Sequence, residues 1–121
     1  MLLERILESL VRDVPGAISA ILADWEGESV VHHAGPGIED YEIKFVGAHH
    51  GIILSKAREL MSRLELGNAT QLSFVQEKFN VVTAPVNDDY YLVLTLLPKS
   101  PPIFAKPAVS RAIKEIEADI G

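Results

Sequence analysis

The most constraining stretch of this 121-residue chain is its middle, residues 38–64, where helix-forming residues run on without a proline. A helix of that length, at about 1.5 Å per residue, would span roughly 40 Å. That exceeds the diameter implied by a radius of gyration of about 14 Å for a chain of this size. At about 100° per residue the apolar side chains fall into two arcs. Ile43, Val46, Ile53, Leu54, Ala57, Leu60, Met61 and Leu64 form one. Tyr41, Phe45, Ala48 and Ile52 form another, displaced by more than a quarter turn. Only a strip of Asp40, Lys44, Ser55, Arg58 and Ser62, with Gly47 and Gly51, is free of large apolar groups. One arc suffices to seat a helix on a sheet, so the second needs separate cover. Either the proline-rich segment 98–107 folds over it, or a helix of another copy does. Burying Tyr41, Phe45 and Ile52 would contribute about 1.5–3 kcal/mol each. Gly47 and Gly51, four apart, would permit close backbone approach, at about 1 kcal/mol of helix propensity each.

The flanking segments supply a sheet and two more helices. Residues 2–13 carry Leu2, Leu3, Ile6, Leu7, Leu10 and Val11 on one helical face, and Pro15-Gly16 stops it. Two strand-like runs, 17–23 and 28–34, surround Asp24-Trp25-Glu26-Gly27, a hairpin turn with its acceptor and its glycine. After the middle helix, Gly67-Asn68 reads as its stop. Three further strand-like runs follow at 70–76, 79–86 and 90–97, joined by short turns as a meander. The last is almost wholly apolar, as a central strand covered on both faces should be. Ala105, Val109, Ala112, Ile113, Ile116 and Ile120 then form one stripe of a final helix, with Pro107 in its first turn. The order is α-β-β-α-β-β-β-α, in one domain over residues 1–121.

The sheet borders differ in character. Residues 69–76 contain no charge and no proline, unlike the defended edges of most natural sheets. The strand at 28–34 carries Glu28 and paired histidines and runs into Pro36. One open edge and one closed edge favour a dimer over a filament.

Composition and motifs exclude several classes. The net charge is −6, with no Lys/Arg cluster, so nucleic acid is not the expected partner. There is no cysteine, which removes disulfides, thiolate zinc sites and cysteine nucleophiles. No uncharged apolar run is long enough to span a membrane, and the first residues do not form a signal peptide. A cytoplasmic protein is expected. Neither a P-loop nor a G-x-S-x-G or H-E-x-x-H motif occurs. His32-His33 on a strand point to opposite faces, and His49-His50 on a helix diverge by about 100°. Neither pair chelates a metal alone. Asp24, Glu26, Glu28, Asp88 and Asp89 cluster in turns, where carboxylates accept backbone hydrogen bonds. We therefore expect no catalytic residue, no cofactor and no metal.

The element order, with Val11-Arg12-Asp13-Val14-Pro15-Gly16-Ala17 entering the first strand, the Asp24–Gly27 turn and Tyr90-Tyr91-Leu92-Val93-Leu94 as last strand, resembles the roadblock/dynein light chain family. The resemblance covers nearly the whole chain, departing from the family in the proline-rich segment 98–107. It implies a roadblock/profilin-like α+β fold: a three-layer α/β/α arrangement with one five-stranded, mostly antiparallel sheet. It further implies a homodimer formed through the middle helix and the third strand. On this sequence those are Tyr41, Phe45, Ala48, His49 and Ile52, with Thr70, Gln71, Leu72, Ser73, Phe74 and Val75. The implied role is a non-catalytic regulator or scaffold for a Ras-like small GTPase, which stimulates GTP hydrolysis in bacterial members without inserting an arginine. Two alternatives remain: an adaptor or light-chain subunit with no nucleotide-dependent role, and a small-molecule sensor. A sensor needs a pocket with convergent polar groups, for which Ser19, Thr83 and Thr95 are the candidates.

Overall fold

The computed structural model describes residues 2–120. Helix α1 (Leu2–Asp13) buries Leu3, Ile6, Leu7 and Leu10 along one stripe. Gly16, at φ 82°, turns the chain into β1 (Ala17–Asp24). The turn into β2 (Ser29–Ala34) is closed by Asp24, whose Oδ1 accepts the N–H groups of Glu26 and Glu28 at 3.0 Å each. Then come α2 (Asp40–Arg63), β3 (Leu72–Phe74), β4 (Asn80–Pro85) and β5 (Tyr90–Leu96). A 3-10 turn over Pro102–Ala105 runs straight into α3 (Lys106–Ile120), with Pro107 in its first turn.

The five strands form one sheet in the order β2-β1-β5-β4-β3, and every neighbouring pair is antiparallel. The apolar run of β5 takes the central place, as its composition demands. Strand alternation sorts the side chains into two cores. Ala20, Leu22, Leu92 and Leu94 face α1 and α3, together with Ala105, Val109 and Ile116. Ile21, Ala23, Val81, Tyr91 and Val93 face α2, meeting Ile43 and Leu54. The result is three layers, with α1 and α3 on one side and α2 on the other.

Three details depart from the sequence reading. The third strand is shorter than 70–76 because side chains claim its ends. Gln71 Nε2 donates to the Lys106 carbonyl at 3.2 Å and to Ser110 Oγ at 3.0 Å, drawing the chain onto α3. At the other end the Gln76 N–H donates to Asn80 Oδ1 at 3.0 Å. Asn80 is buried, and its Nδ2 donates to the carbonyls of Pro98 and Ser100, both at 3.1 Å. The second departure is the stop of α2, which comes before Gly67. Glu65 itself takes the left-handed conformation, φ 55°, while the Leu66 N–H reaches back to the Met61 carbonyl at 3.0 Å.

The third departure concerns how α2 meets the sheet. The two glycines of the strip without large side chains touch the strands, between Ile43 and Leu54 of the first arc, while Asp40, Lys44, Ser55 and Ser62 stay exposed. A Cβ at Gly47 would lie 2.9 Å from Ile21 Cγ2. One at Gly51 would lie 2.5 Å from Tyr91 Cζ and closer still to its hydroxyl oxygen. The Tyr91 hydroxyl donates to the Gly47 carbonyl at 2.9 Å. Here the strands supply the bulk and the helix supplies the space. Burial, and secondarily the Asp24 carboxylate, pushes the Tyr91 phenol up to about 12, so it remains a donor.

Candidate functional site

Seating α2 on Gly47 and Gly51 beside Ile43 and Leu54 turns the far side of the first arc outward. Ile43 and Leu54 are buried, and Val46, Ala57 and Met61 are half-buried. Tyr41, Phe45 and Ile52 are exposed, at 71%, 52% and 58%. Ile53, Leu60 and Leu64, assigned from sequence to the sheet-facing arc, are exposed as well, at 41%, 57% and 57%. The segment 98–107 does not cover them, because Ala105 packs into the core on the α1/α3 side.

The exposed residues occupy two adjoining zones. One is the outer crest, where Tyr41, Phe45 and His49 stack at successive turns with ring centroids 6.0 and 4.3 Å apart. The Phe45 carbonyl accepts a hydrogen bond from His49 Nδ1 at 2.8 Å. The other zone is the flank toward β3. His50 fixes its direction, since its ring meets Phe74 edge-on at 5.0 Å. At about 100° per residue, Ile53, Leu60 and Leu64 lie within a quarter turn of His50. Ala48 lies on the opposite flank, where a Cβ at Gly27 would contact it at 3.5 Å. It is half-buried against its own chain.

β3 is the sheet edge beside that flank. Leu72 and Phe74 turn toward the α2 core, while Ser73, Thr70 and Val75 are exposed. Gln71, expected on the open edge, instead has its amide committed to α3. The apolar flank and the uncharged edge thus form one surface. The sequence reading set Ile53, Leu60 and Leu64 against the sheet because a wheel shows arcs but not which part of an arc meets the strands. The signal was the glycine pair, opposite which bulky strand residues were required.

The polar groups elsewhere hold the fold together. His50 is buried with Nδ1 unpartnered, and burial, with His49 adding to it, holds its imidazole below the ordinary 6.5. His32 Nε2 lies 3.1 Å from Asp40 Oδ1, tying β2 to the start of α2. Arg58 stacks 4.2 Å above the Trp25 ring and lies 4.0 Å from Asp88. Trp25 Nε1 donates to the Asn87 carbonyl at 3.2 Å. Among the described residues no cluster of His, Asp and Glu could hold a metal ion, and no helix is long and apolar enough to cross a membrane.

A cavity of about 290 Å³ opens at the N-terminal end of α2, among Ile18, Ser19, Ile38, Tyr41, Glu42, Ile43, Phe45, Val46, Phe79 and Thr95. Two of the three polar residues proposed from sequence, Ser19 and Thr95, line it. Thr83 is buried elsewhere with its hydroxyl unpartnered.

No protein-family model matches the sequence, and no curated protein matches it. Solved structures do. A roadblock/LC7 domain from Streptomyces avermitilis superposes with a TM-score of 0.85 at 15% identity, covering 97% of this chain and 96% of that one. The gliding protein MglB from Thermus thermophilus gives 0.81 at 17% identity, over 94% and 84%. An MglB solved in a tetrameric arrangement gives 0.81 at 18%, over 93% and 83%. The chain has the roadblock fold.

Proposed function

We propose that this roadblock-fold chain, a single domain over its 121 residues, is a non-catalytic cytoplasmic regulator or scaffold that self-associates and binds a Ras-like small GTPase. The observation that carries the reading is the continuous surface of Ile53, Leu60 and Leu64 beside the β3 edge. A lone copy leaves these aliphatic groups in water, at about 1.5–3 kcal/mol per side chain. A second copy related by a twofold axis would cover them, pair the two β3 edges and extend the sheet. The crest of Tyr41, Phe45, His49 and Ile52 adjoins that contact. Thr70, Leu72, Ser73, Phe74 and Val75 would form its strand part, and Gln71 would contribute only backbone.

The likeness to MglB, named for gliding and solved as a tetramer in one case, supports self-association and a regulatory role. Binding by the dimer would reshape the GTPase rather than insert a residue. The two arginines of α2 fit this reading. Arg58 is held by Trp25 and Asp88, and Arg63 donates to Glu59 at 2.7 Å.

The test is binding to small GTPases from the same genome, each loaded with GTP or GDP. The proposal expects tighter binding to one GTP-loaded partner, with hydrolysis faster in the complex if the GTPase is reshaped. Binding indifferent to nucleotide would identify an adaptor subunit instead. No binding to any of them would refute the GTPase role.

A further inference from the structure

The cavity at the start of α2 has a built polar floor. Ser19 and Thr95 face each other across the β1–β5 ladder, and such pairs hold their Cβ atoms about 4.5–5.5 Å apart. Both residues are more than nine-tenths buried, with 4% and 7% of their surface exposed. Neither hydroxyl has a hydrogen-bond partner among the described residues. Unlike the sealed Thr83 hydroxyl, these two oxygens are reachable from the cavity, where water or a ligand can satisfy them. Here the two open into the same space, next to a bulge where the β1 register shifts between Ala17 and Ser19.

The walls define what else an occupant must be. Ile18, Ile38, Ile43, Val46 and Phe79 are apolar, and Tyr41 and Phe45 edge the mouth. No lysine, arginine or histidine lines the cavity, and its one charged group is the Glu42 carboxylate. Carboxylates and phosphates would enter without a countercharge. A volume of about 290 Å³ is near the lower end of the ligand-pocket range.

We propose that this cavity binds a small uncharged molecule with an apolar body of about one ring and a single oxygen acceptor, a ketone, ester or amide, whose oxygen receives both hydroxyls. Ser19 and Thr95 are its binding residues, and the aliphatic walls hold its body. The site shares Tyr41 and Phe45 at its mouth with the crest but uses neither the β3 edge nor Ile53, Leu60 or Leu64, so it does not rest on the GTPase reading.

Acetophenone and ethylbenzene, nearly equal in shape, are the probes. Each is titrated into the 15N-labelled full chain and followed by amide shifts. The proposal expects saturable shifts centred on Ser19, Ile43, Val46 and Thr95, with acetophenone binding roughly tenfold more tightly, as a site with unpaired polar groups discriminates. Thr95→Val, close in shape, and Ser19→Ala should each narrow that preference while leaving ethylbenzene unchanged. Val46→Phe, which fills the space, should abolish both. Equal affinity for the two probes in the unmodified chain would overturn the proposal. So would shifts centred elsewhere, or none at low millimolar probe. A preference that survives both hydroxyl deletions would do the same.

Discussion

Gly51→Ala probes the seating of α2 most sharply. The added Cβ would sit 2.5 Å from Tyr91 Cζ and 3.0 Å from Cε1, against an ordinary carbon contact of about 3.5–4.0 Å. The ring cannot swing aside. Tyr91 is fully buried, its hydroxyl is bonded to the Gly47 carbonyl at 2.9 Å, and Trp25 packs on it at 5.1 Å. The helix must lift by about 1 Å, which also stretches that hydrogen bond. Overpacking of this kind costs about 1–3 kcal/mol, and weakening a buried hydrogen bond adds about 1 kcal/mol. The better helix propensity of alanine returns about 1 kcal/mol. The net loss is about 2 kcal/mol, a drop in Tm of roughly 6–12 °C for a chain of this length. The assay is thermal and urea unfolding followed by circular dichroism, at one chain concentration because self-association shifts the midpoint. Ser55→Ala, on the exposed side of the same helix, is the control and should be neutral or slightly stabilising. A Gly51→Ala variant melting at or above the unmodified protein would refute the seating.

Other expectations follow from the same geometry. Glu65→Gly relieves a left-handed residue at the end of α2 and should stabilise by about 1 kcal/mol, read as a rise in the urea midpoint. His50 is held below its ordinary value when folded, so the unfolded chain takes up its proton first as pH falls through 6.5. Its contribution is therefore present above that pH and lost below it, by at most about 1.4 kcal/mol per unit while the folded ring stays neutral. His50→Phe should flatten stability measured between pH 7 and pH 5. Ser73→Lys places a charge on the exposed β3 edge and should weaken self-association with the circular dichroism spectrum unchanged. Gln71→Lys should instead lower the melting temperature, because it breaks the bonds to α3.

The element order and the central place of β5 were legible because apolar periodicity, glycine turns and proline stops agree along the chain. The Asp24–Gly27 turn was legible for the same local reason. The rotation of α2 was not. A wheel counts large side chains, and the sheet took the border of the first arc, Ile43 and Leu54, together with Gly47 and Gly51, where Ile21 and Tyr91 already fill the gap. The ends of β3 were hidden too, set by Gln71 and Asn80 reaching residues distant in sequence. The cavity was half visible. Ser19 and Thr95 could be named as polar residues on apolar strands, but only their pairing across β1 and β5 places them together.

Sedimentation equilibrium at micromolar concentration, on the unmodified chain and on Leu60→Glu, tests most directly whether the α2 flank and the β3 edge meet a second copy. The account predicts at least twice the 13.3 kDa chain mass for the former, and a folded species of single-chain mass for the latter. A single-chain mass for the unmodified protein, or an assembly indifferent to the glutamate, would contradict it.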